Sequence, residues 1–266
     1  MERYACLVTL HPYLATAEPI AFAHRGGAAE APENTIEAFT HAAELGYRYL
    51  ETDAQLSADG IPVAFHDDRI DRVSAREGAL NELTWDQLSE LVIHPEAGGG
   101  RLATIEQLLA DFPDMRFNID LKTAEVVDPV LEVLVAADAL DRVCIASFVD
   151  RRLAAARDRL GHDACVSQGP IDTMITLAAG VTGNSYGPTR GRPLQLPDTL
   201  GRAPMPFSRI IAAAKQNGSP VHVWTVDDRA RMHELLDLGV DGIMTDRPTV
   251  LRDVLIERGQ WAGDNG

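Results

Sequence analysis

The chain has 266 residues, 45% of them hydrophobic, enough to bury a sizeable core as one large domain or two small ones. A formal charge of −16 argues against nucleic acid and anionic membrane surfaces as partners, and three scattered cysteines (Cys6, Cys144, Cys165) argue against a disulfide framework or a zinc site. No apolar run approaches the roughly 18 residues that cross a bilayer, and residues 1–19 lack the pattern of a signal peptide, so the chain reads as soluble and cytoplasmic.

Apolar strands alternate with amphipathic helices along most of the chain, the signature of βα units on a parallel sheet. Ile20 to His24 is the first strand. Asn34 is placed to cap a helix running through Glu44, with Glu37 three residues on and Pro32 just before, and Gly46 ends that helix. The next strand holds Glu51 and Asp53, and Asp59-Gly60 marks a tight turn into an extended arm, Pro62 to His66. Residues 67–103 break the rhythm with mixed polar sequence, a short helix near Thr84 to Leu91 and a flexible Gly98-Gly99-Gly100. That length suits an inserted cap over a site better than a separate domain.

The alternation then resumes: helix 104–111, strand 116–122, helix 125–138, strand 142–147, helix 150–160, strand 163–168 and helix 170–179. Residues 181–205, rich in Gly and Pro, are irregular, with Leu194-Gln195-Leu196 as a weak strand. Helix 206–217, strand Val221 to Thr225, helix 228–238, strand 241–245 and helix 248–257 close the chain. With the weak strand accepted, the tally is eight strand–helix units, which predicts an α/β fold, a (β/α)8 TIM barrel forming one domain over 1–266 with a small inserted cap segment at about 67–103. An open doubly wound sheet is the competing architecture. The barrel gathers function at the C-terminal ends of its strands, where His24, Asp53, Lys122, Ser147, Thr225 and Asp246 fall.

Alternate residues of a strand share a face, so Glu51 and Asp53 point one way and Leu50 and Thr52 the other. Two acids on one face repel unless a cation lies between them, and a hard divalent ion with oxygen ligands, Mg2+ or Ca2+, suits them. The strand at 116–122 repeats the pattern, with Asn118, Asp120 and Lys122 on one side and Phe117, Ile119 and Leu121 on the other. It offers a third metal carboxylate beside a phosphate-seeking ammonium. Lys122 and Lys215 are the only lysines in the chain, so the place of Lys122 next to Asp120 points to chemistry. His24 and His66 flank the acidic pair in sequence, and Arg25 offers a bidentate fork for an anion.

Together these residues carry a family resemblance. His24-Arg25-Gly26, Pro32-Glu33-Asn34-Thr35, Glu51-x-Asp53, Asp59-Gly60-x-Pro62-Val63 with His66-Asp67, Asp120-x-Lys122, Trp224-Thr225-Val226 and the run from Gly239 to Asp246 followed by Pro248 resemble the glycerophosphodiester phosphodiesterase family, in order over about residues 20–250. The resemblance implies a barrel, a bound divalent cation and hydrolysis of a small glycerophosphodiester to glycerol 3-phosphate and an alcohol. Position by position it implies Glu51 and Asp53 as metal ligands, His24 and His66 as the acid–base pair, and Arg25 and Lys122 as phosphate contacts. Asp120 stands where the family usually carries Glu.

One histidine must take a proton from the attacking oxygen while the other supplies one to the leaving alkoxide. His24 as base and His66 as acid is the preferred assignment, although the sequence does not separate the two roles, nor water from a substrate hydroxyl as the nucleophile. Trp224 and Phe148 are candidates to pack against glycerol or the leaving group, against the simpler reading of barrel core. His11, His41, His94, His162 and His233 show no partner pattern and read as surface or packing residues. Two alternatives remain: a lysophospholipase D or sphingomyelinase D type activity on the same scaffold, and a non-catalytic barrel that binds phosphorylated ligands. No oligomeric state follows from the sequence.

Overall fold

The structure, a computed structural model, describes residues 10–94, 98–161, 164–182, 189, 191–200 and 203–263. In chain order its elements are β1 (Ile20–Ala23), α1 (Ile36–Glu44), β2 (Tyr49–Leu56), β3 (Pro62–Ala64), α2 (Trp85–Ser89), β4 (Val92–Ile93), β5 (Gly100–Arg101), α3 (Ile105–Asp111) and β6 (Arg116–Leu121). There follow α4 (Val127–Ala136), β7 (Val143–Ala146), α5 (Asp150–Leu160), β8 (Cys165–Val166), α6 (Pro170–Thr182), β9 (Leu194–Pro197), β10 (Thr199–Leu200), β11 (Ala203–Pro204), α7 (Phe207–Asn217), β12 (Val221–Trp224), α8 (Arg229–Leu238), β13 (Gly242–Thr245) and α9 (Pro248–Glu257).

Eight of these strands form one curled parallel sheet in the order β8-β7-β6-β2-β1-β13-β12-β9, with β3 antiparallel on β2, in a (β/α)8 TIM-barrel arrangement. The weak strand at 194–196 is a full member, paired from Leu194 to Pro197 with Val221 to Trp224. The two ends of the sheet share no ladder. They meet through Gln168, whose backbone N–H donates to the Pro193 carbonyl at 2.9 Å and whose side-chain amide donates to the Arg192 carbonyl at 3.1 Å. The open-sheet alternative leaves these end strands apart.

The strand period divides the side chains between two cores. Leu50, Phe117, Ile119, Leu121, Val143 and Ile145 point outward into an apolar layer shared with α1, α3, α4 and α5. Leu194, Leu196, Val221, Val223 and Ile243 do the same toward α7, α8 and α9. Inside the barrel, Phe22, Tyr49, Cys144, Cys165 and Met244 form a dry lower layer. A 3-10 turn at Pro12–Leu14 plugs it from below with Tyr13, which is fully buried and whose ring meets Tyr49 edge to face at 5.3 Å.

Two local expectations need correcting, the cap of the first helix and the freedom of Gly100. Helix α1 is capped by Thr35, whose Oγ1 accepts from the Ala38 N–H at 3.2 Å, and not by Asn34. Asn34 is left-handed (φ 56°), and Glu37 accepts from the Arg101 backbone N–H instead of closing a box. The short helix of the 67–103 segment spans Trp85–Ser89, and around it Ile70, Val73, Leu80, Leu88 and Ile93 pack into an apolar cluster of their own. Gly100 is no free linker: it lies in β5, and a Cβ there would come within 2.6 Å of Thr35 Oγ1.

Candidate active site

The Glu51/Asp53 strand occupies the centre of the site because β2 is paired on both edges. Strand β6 takes one edge along its whole length, from Tyr49↔Arg116 to Ala54↔Leu121, so β1 (Phe22↔Tyr49, Ala23↔Leu50) and β3 (Ala54↔Ala64) must both lie on the other. His24 follows β1 and His66 follows β3, which brings both imidazoles in beside the acidic stretch of β2. Asp53 and Asp120 are register partners across the β2–β6 ladder. All five of these residues, Glu51, Asp53, Asp120, His24 and His66, lie toward the mouth side of the barrel, where its rule places function.

The turn after β1 is built for close approach. Arg25, Gly26 and Gly27 have successive positive φ values of 51°, 83° and 104°, and a Cβ on Gly26 would fall 2.6 Å from the Ala38 side chain. This conformation turns the Arg25 backbone N–H onto Glu51 Oε2 at 3.0 Å. The His24 ring is held from the opposite end of the chain: its Nδ1 lies 2.6 Å from Asp246 Oδ1, and its Nε2 lies 3.7 Å from Glu51 Oε2. His66 is held in the same manner, with Nδ1 at 2.5 Å from Asp67 Oδ1. Each imidazole thus has a carboxylate behind Nδ1 that leaves Nε2 as its working nitrogen.

Charge is concentrated tightly around β2. Lys122 Nζ bridges Asp53 at 2.7 Å and Asp120 at 2.6 Å. Arg25 donates to Glu33 at 2.9 Å and has Nε 3.3 Å from Asp53. Asn34 donates to Asp53 at 3.0 Å and accepts from Thr52 Oγ1 at 2.8 Å, which explains its departure from the helix cap. Asp120 Oδ1 is buried without a hydrogen-bond partner. Among the described residues no three His, Cys, Asp or Glu side chains are drawn into a ready-made cage, because Lys122 stands between two of the acids.

These contacts fix the protonation pattern. Burial and the neighbouring Asp53 push the Glu51 carboxyl up to about 7, against the pull of His24, Arg25 and Lys122. Asp53 is lowered despite burial, because Lys122 and Arg25 stabilise its charge. Asp120 is raised, burial outweighing Lys122. For His24 burial disfavours the charged form, yet Glu51 and Asp246 together raise its pKa. The influence of His66 reaches both Asp53 and Asp120, which it helps to hold ionised.

The aromatic candidates meet at the same rim. Phe148 is 61% exposed, contacts Trp224 edge to face at 5.4 Å, and lies under Lys122 Nζ at 5.9 Å. Phe148 is not core, whereas Trp224 is half-buried and also packs against the apolar lower layer of the barrel. Several supporting residues escaped sequence reading in that role: Asp246 behind His24, Glu33 with its bidentate Arg72 (2.7 and 2.8 Å) behind Arg25, and Asn34 behind Asp53. His94 also has a partner, Glu33, at 3.7 Å, and His41 has Glu30 at 3.0 Å, so neither is an isolated surface residue; His162 lies outside the described residues. The available signal was position, since Asp246 ends a strand and Glu33 and Asn34 sit in the Pro32–Thr35 run.

Comparison with known proteins now fits this geometry. Residues 24–250 match the profile of the glycerophosphoryl diester phosphodiesterase family. The chain belongs to that family. It is 39% identical over 249 residues to the probable glycerophosphodiester phosphodiesterase 2 of Mycobacterium tuberculosis, covering 92% of this chain and 93% of the relative. It is 29% identical over 252 residues to the glycerophosphodiester phosphodiesterase of Caldanaerobacter subterraneus, covering 90% and 99%. Among solved structures, a phosphodiesterase of Oleispira antarctica in complex with the product sn-glycerol-3-phosphate superposes with a TM-score of 0.74 at 22% identity, covering 90% of this chain and 97% of that one. The chain is accordingly an enzyme, a phosphoric diester hydrolase, which removes the non-catalytic barrel from consideration.

Proposed function

We propose that the enzyme hydrolyses glycerophosphodiesters to glycerol 3-phosphate and an alcohol, with a divalent cation, Mg2+ or Ca2+, held by Glu51, Asp53 and Asp120, and with His24 and His66 as the proton-transfer pair. The observation that carries this reading is the unbalanced charge at β2, where Asp120 Oδ1 is buried and unpartnered and Glu51 is buried with its carboxyl pushed up to about 7. A hard cation with oxygen ligands answers both, so the residues fit it. Such an ion, when bound, supplies Lewis-acid stabilisation of charge on the non-bridging phosphoryl oxygens.

The chain's own groups do the rest. Lys122 and Arg25 offer fixed positive charge to the phosphoryl group, Lys122 as a point charge and Arg25 as a planar fork. Asp246 and Asp67 orient the two imidazoles so that one Nε2 accepts the proton of the attacking oxygen while the other donates to the leaving alkoxide. In this scheme His24 serves as base only when the charge of Glu51 is engaged elsewhere, since Glu51 and Asp246 otherwise hold its proton. Phe148 and Trp224 stack against the organic part of the substrate. Residues 67–103 act as a cap selecting the leaving alcohol, a role supported by Arg72 reaching Glu33 and Asp67 at 2.7 and 2.5 Å. No described helix is long and apolar enough to cross a membrane, and we place the enzyme in the cytoplasm.

One observation favours a second reading, a lysophospholipase D type substrate. Phe148, Ile171, Met174 and Ile175 are exposed by 61%, 60%, 69% and 40%, and the Ile171 N–H bonds Asp150 Oδ1 at 3.1 Å, bringing the start of α6 to the start of α5 just past Phe148. An apolar shoulder at the mouth suits an acyl chain. The test is release of glycerol 3-phosphate or lysophosphatidate from glycerophosphocholine and a lysolipid, with Mg2+, Ca2+ or a chelator. Cation-dependent turnover of glycerophosphocholine, lost in folded His24→Ala and Glu51→Ala, is the expected result. Turnover indifferent to chelator and to both substitutions contradicts the assignment, and preference for the lysolipid selects the second reading.

A further inference from the structure

The segment that interrupts the βα rhythm sets an arginine against the proton-transfer machinery. Arg72 lies between Ile70 and Val73, both buried in the apolar cluster of residues 67–103, so packing fixes its backbone while its side chain stays 46% exposed. Its Nη1 and Nη2 donate to the two oxygens of Glu33 at 2.7 and 2.8 Å, and its Nε donates to Asp67 Oδ2 at 2.5 Å. Glu33 in turn accepts from Arg25 at 2.9 Å, and Asp67 Oδ1 lies 2.5 Å from His66 Nδ1. A continuous run of charged contacts therefore joins Arg25, Glu33, Arg72, Asp67 and His66.

The backbone alone does not give the contact between His66 and Asp67. Residues adjacent in sequence point apart in a strand and do not face each other on a helix. The buried Gln55 donates to the His66 and Asp67 carbonyls at 3.4 and 3.2 Å, which fixes the main chain of the pair. The Asp67 carboxylate is fixed by Arg72, which takes Oδ2 while Oδ1 meets the imidazole. Against partial burial, Arg72 and His66 hold the Asp67 carboxyl below its ordinary value, so it stays an acceptor. A lysine is a poor substitute here, since an ammonium is a point charge whereas the planar fork serves two carboxylates at once in fixed directions.

Resting on the reading of His66 as the acid, we infer that Arg72 is a positioning residue for proton delivery to the leaving alcohol, acting through Asp67 on His66. The inserted segment then contributes to turnover as well as to substrate choice. As the bond from phosphorus to the attacking oxygen forms and the bond to the alcohol oxygen breaks, the Nε2 proton of His66 passes to the departing oxygen. The imidazole is left neutral, Asp67 stays ionised, and the proton of the attacking oxygen passes to His24. With Asp67 holding Nδ1, the ring presents Nε2 in one direction. Freed from Arg72, Asp67 lets the ring spread over orientations of which few are productive. The loss falls on the transition state, hence on kcat more than on KM.

Two substrates test this in the presence of the cation: glycerophosphocholine, whose departing alkoxide needs a proton, and the p-nitrophenyl diester of glycerol 3-phosphate, whose phenolate leaves without one. His66→Ala calibrates the difference and should lose far more on the choline ester. Arg72→Ala is expected to follow the same pattern on a smaller scale. Its kcat should fall about tenfold for the choline ester and no more than about twofold for the nitrophenyl ester, with KM little changed. Arg72→Lys keeps the charge and should fall between the wild type and Arg72→Ala with the same preference, which serves should Arg72→Ala fold poorly. Adding Arg72→Ala to Asp67→Ala should cost little more, because the two act through one contact. An equal loss on both esters in the Arg72 variants, or a full further loss on top of Asp67→Ala, overturns the positioning role while His66→Ala still discriminates. A His66→Ala variant that loses equally on both esters overturns the acid assignment, and the role of Arg72 with it.

Discussion

The barrel interior has two layers, and the same strands build both. In the lower layer Phe22, Tyr49, Cys144, Cys165 and Met244 exclude water, whereas two residues further along the same strands come His24, Glu51 and, after them, Asp53. Two histidines show what the change of layer does. His222 is fully buried below, its ring 5.0 Å from Phe22 and both nitrogens without partners, and burial alone lowers its pKa to about 3. His24, nearly as enclosed, is raised because Glu51 and Asp246 are at hand. At similar depth, burial alone holds one histidine neutral, while neighbouring carboxylates outweigh it and make the other proton-binding.

The largest effect should come from the upper layer. His24→Ala is expected to lower kcat/KM by roughly 10²–10⁴-fold, the range of a lost proton-transfer group, with Tm little changed. His222→Ala, also in the barrel, should leave the chemistry in place and cost mainly stability. Steady-state rates and thermal unfolding of the pair check the contrast.

Glu33 tests whether the upper layer is held by charge. Two arginines outweigh the burial that opposes ionisation and lower its pKa to about 2 from 4.5. A depressed carboxyl stabilises fully above its unfolded value and loses that contribution as pH falls through the folded one. Glu33→Gln should therefore cost up to roughly 3 kcal/mol at pH 7 and little near pH 2, measurable by denaturant unfolding across that interval.

His222 supplies the opposite test in the lower layer. Because its folded pKa is depressed from 6.5 to about 3, the unfolded chain takes up the proton first, and stability falls as pH drops through that window. His222→Leu should flatten this slope and add about 1–2 kcal/mol at pH 5, with a smaller gain at pH 8. The smallest effect belongs to the rim: Phe148→Ala should raise KM a few-fold with kcat nearly unchanged, as loss of uniform binding does, and more for a lysolipid than for glycerophosphocholine.

Much of this plan was legible from periodicity. The alternation of Glu51 with Thr52, and of Asp120 with Leu121, separated mouth from outer core before any coordinates, and Asp59-Gly60 announced the β2–β3 hairpin that delivers His66. Strand β9 was visible only as Leu194-Gln195-Leu196, since three residues carry little pattern. Contacts between distant residues were not legible. His24 and Asp246 are 222 positions apart, and Arg72 and Glu33 are 39 apart. Local propensity pointed to Asn34 as a cap because the demand of Asp53 on its amide is invisible in the neighbouring residues. The plug at Pro12–Leu14 lacked any strand or helix rhythm, and its role comes wholly from Tyr13 meeting Tyr49.

The central claim is that Glu51, Asp53 and Asp120 together form the seat of a divalent cation. It is tested most directly by following Tm while Mg2+ or Ca2+ is titrated into the wild-type chain and Glu51→Gln. The account predicts that the cation raises the wild-type Tm, and that Glu51→Gln, relieved of a buried carboxylate, starts higher and does not respond. A wild type indifferent to both cations, or a Glu51→Gln variant that responds as fully, would contradict it.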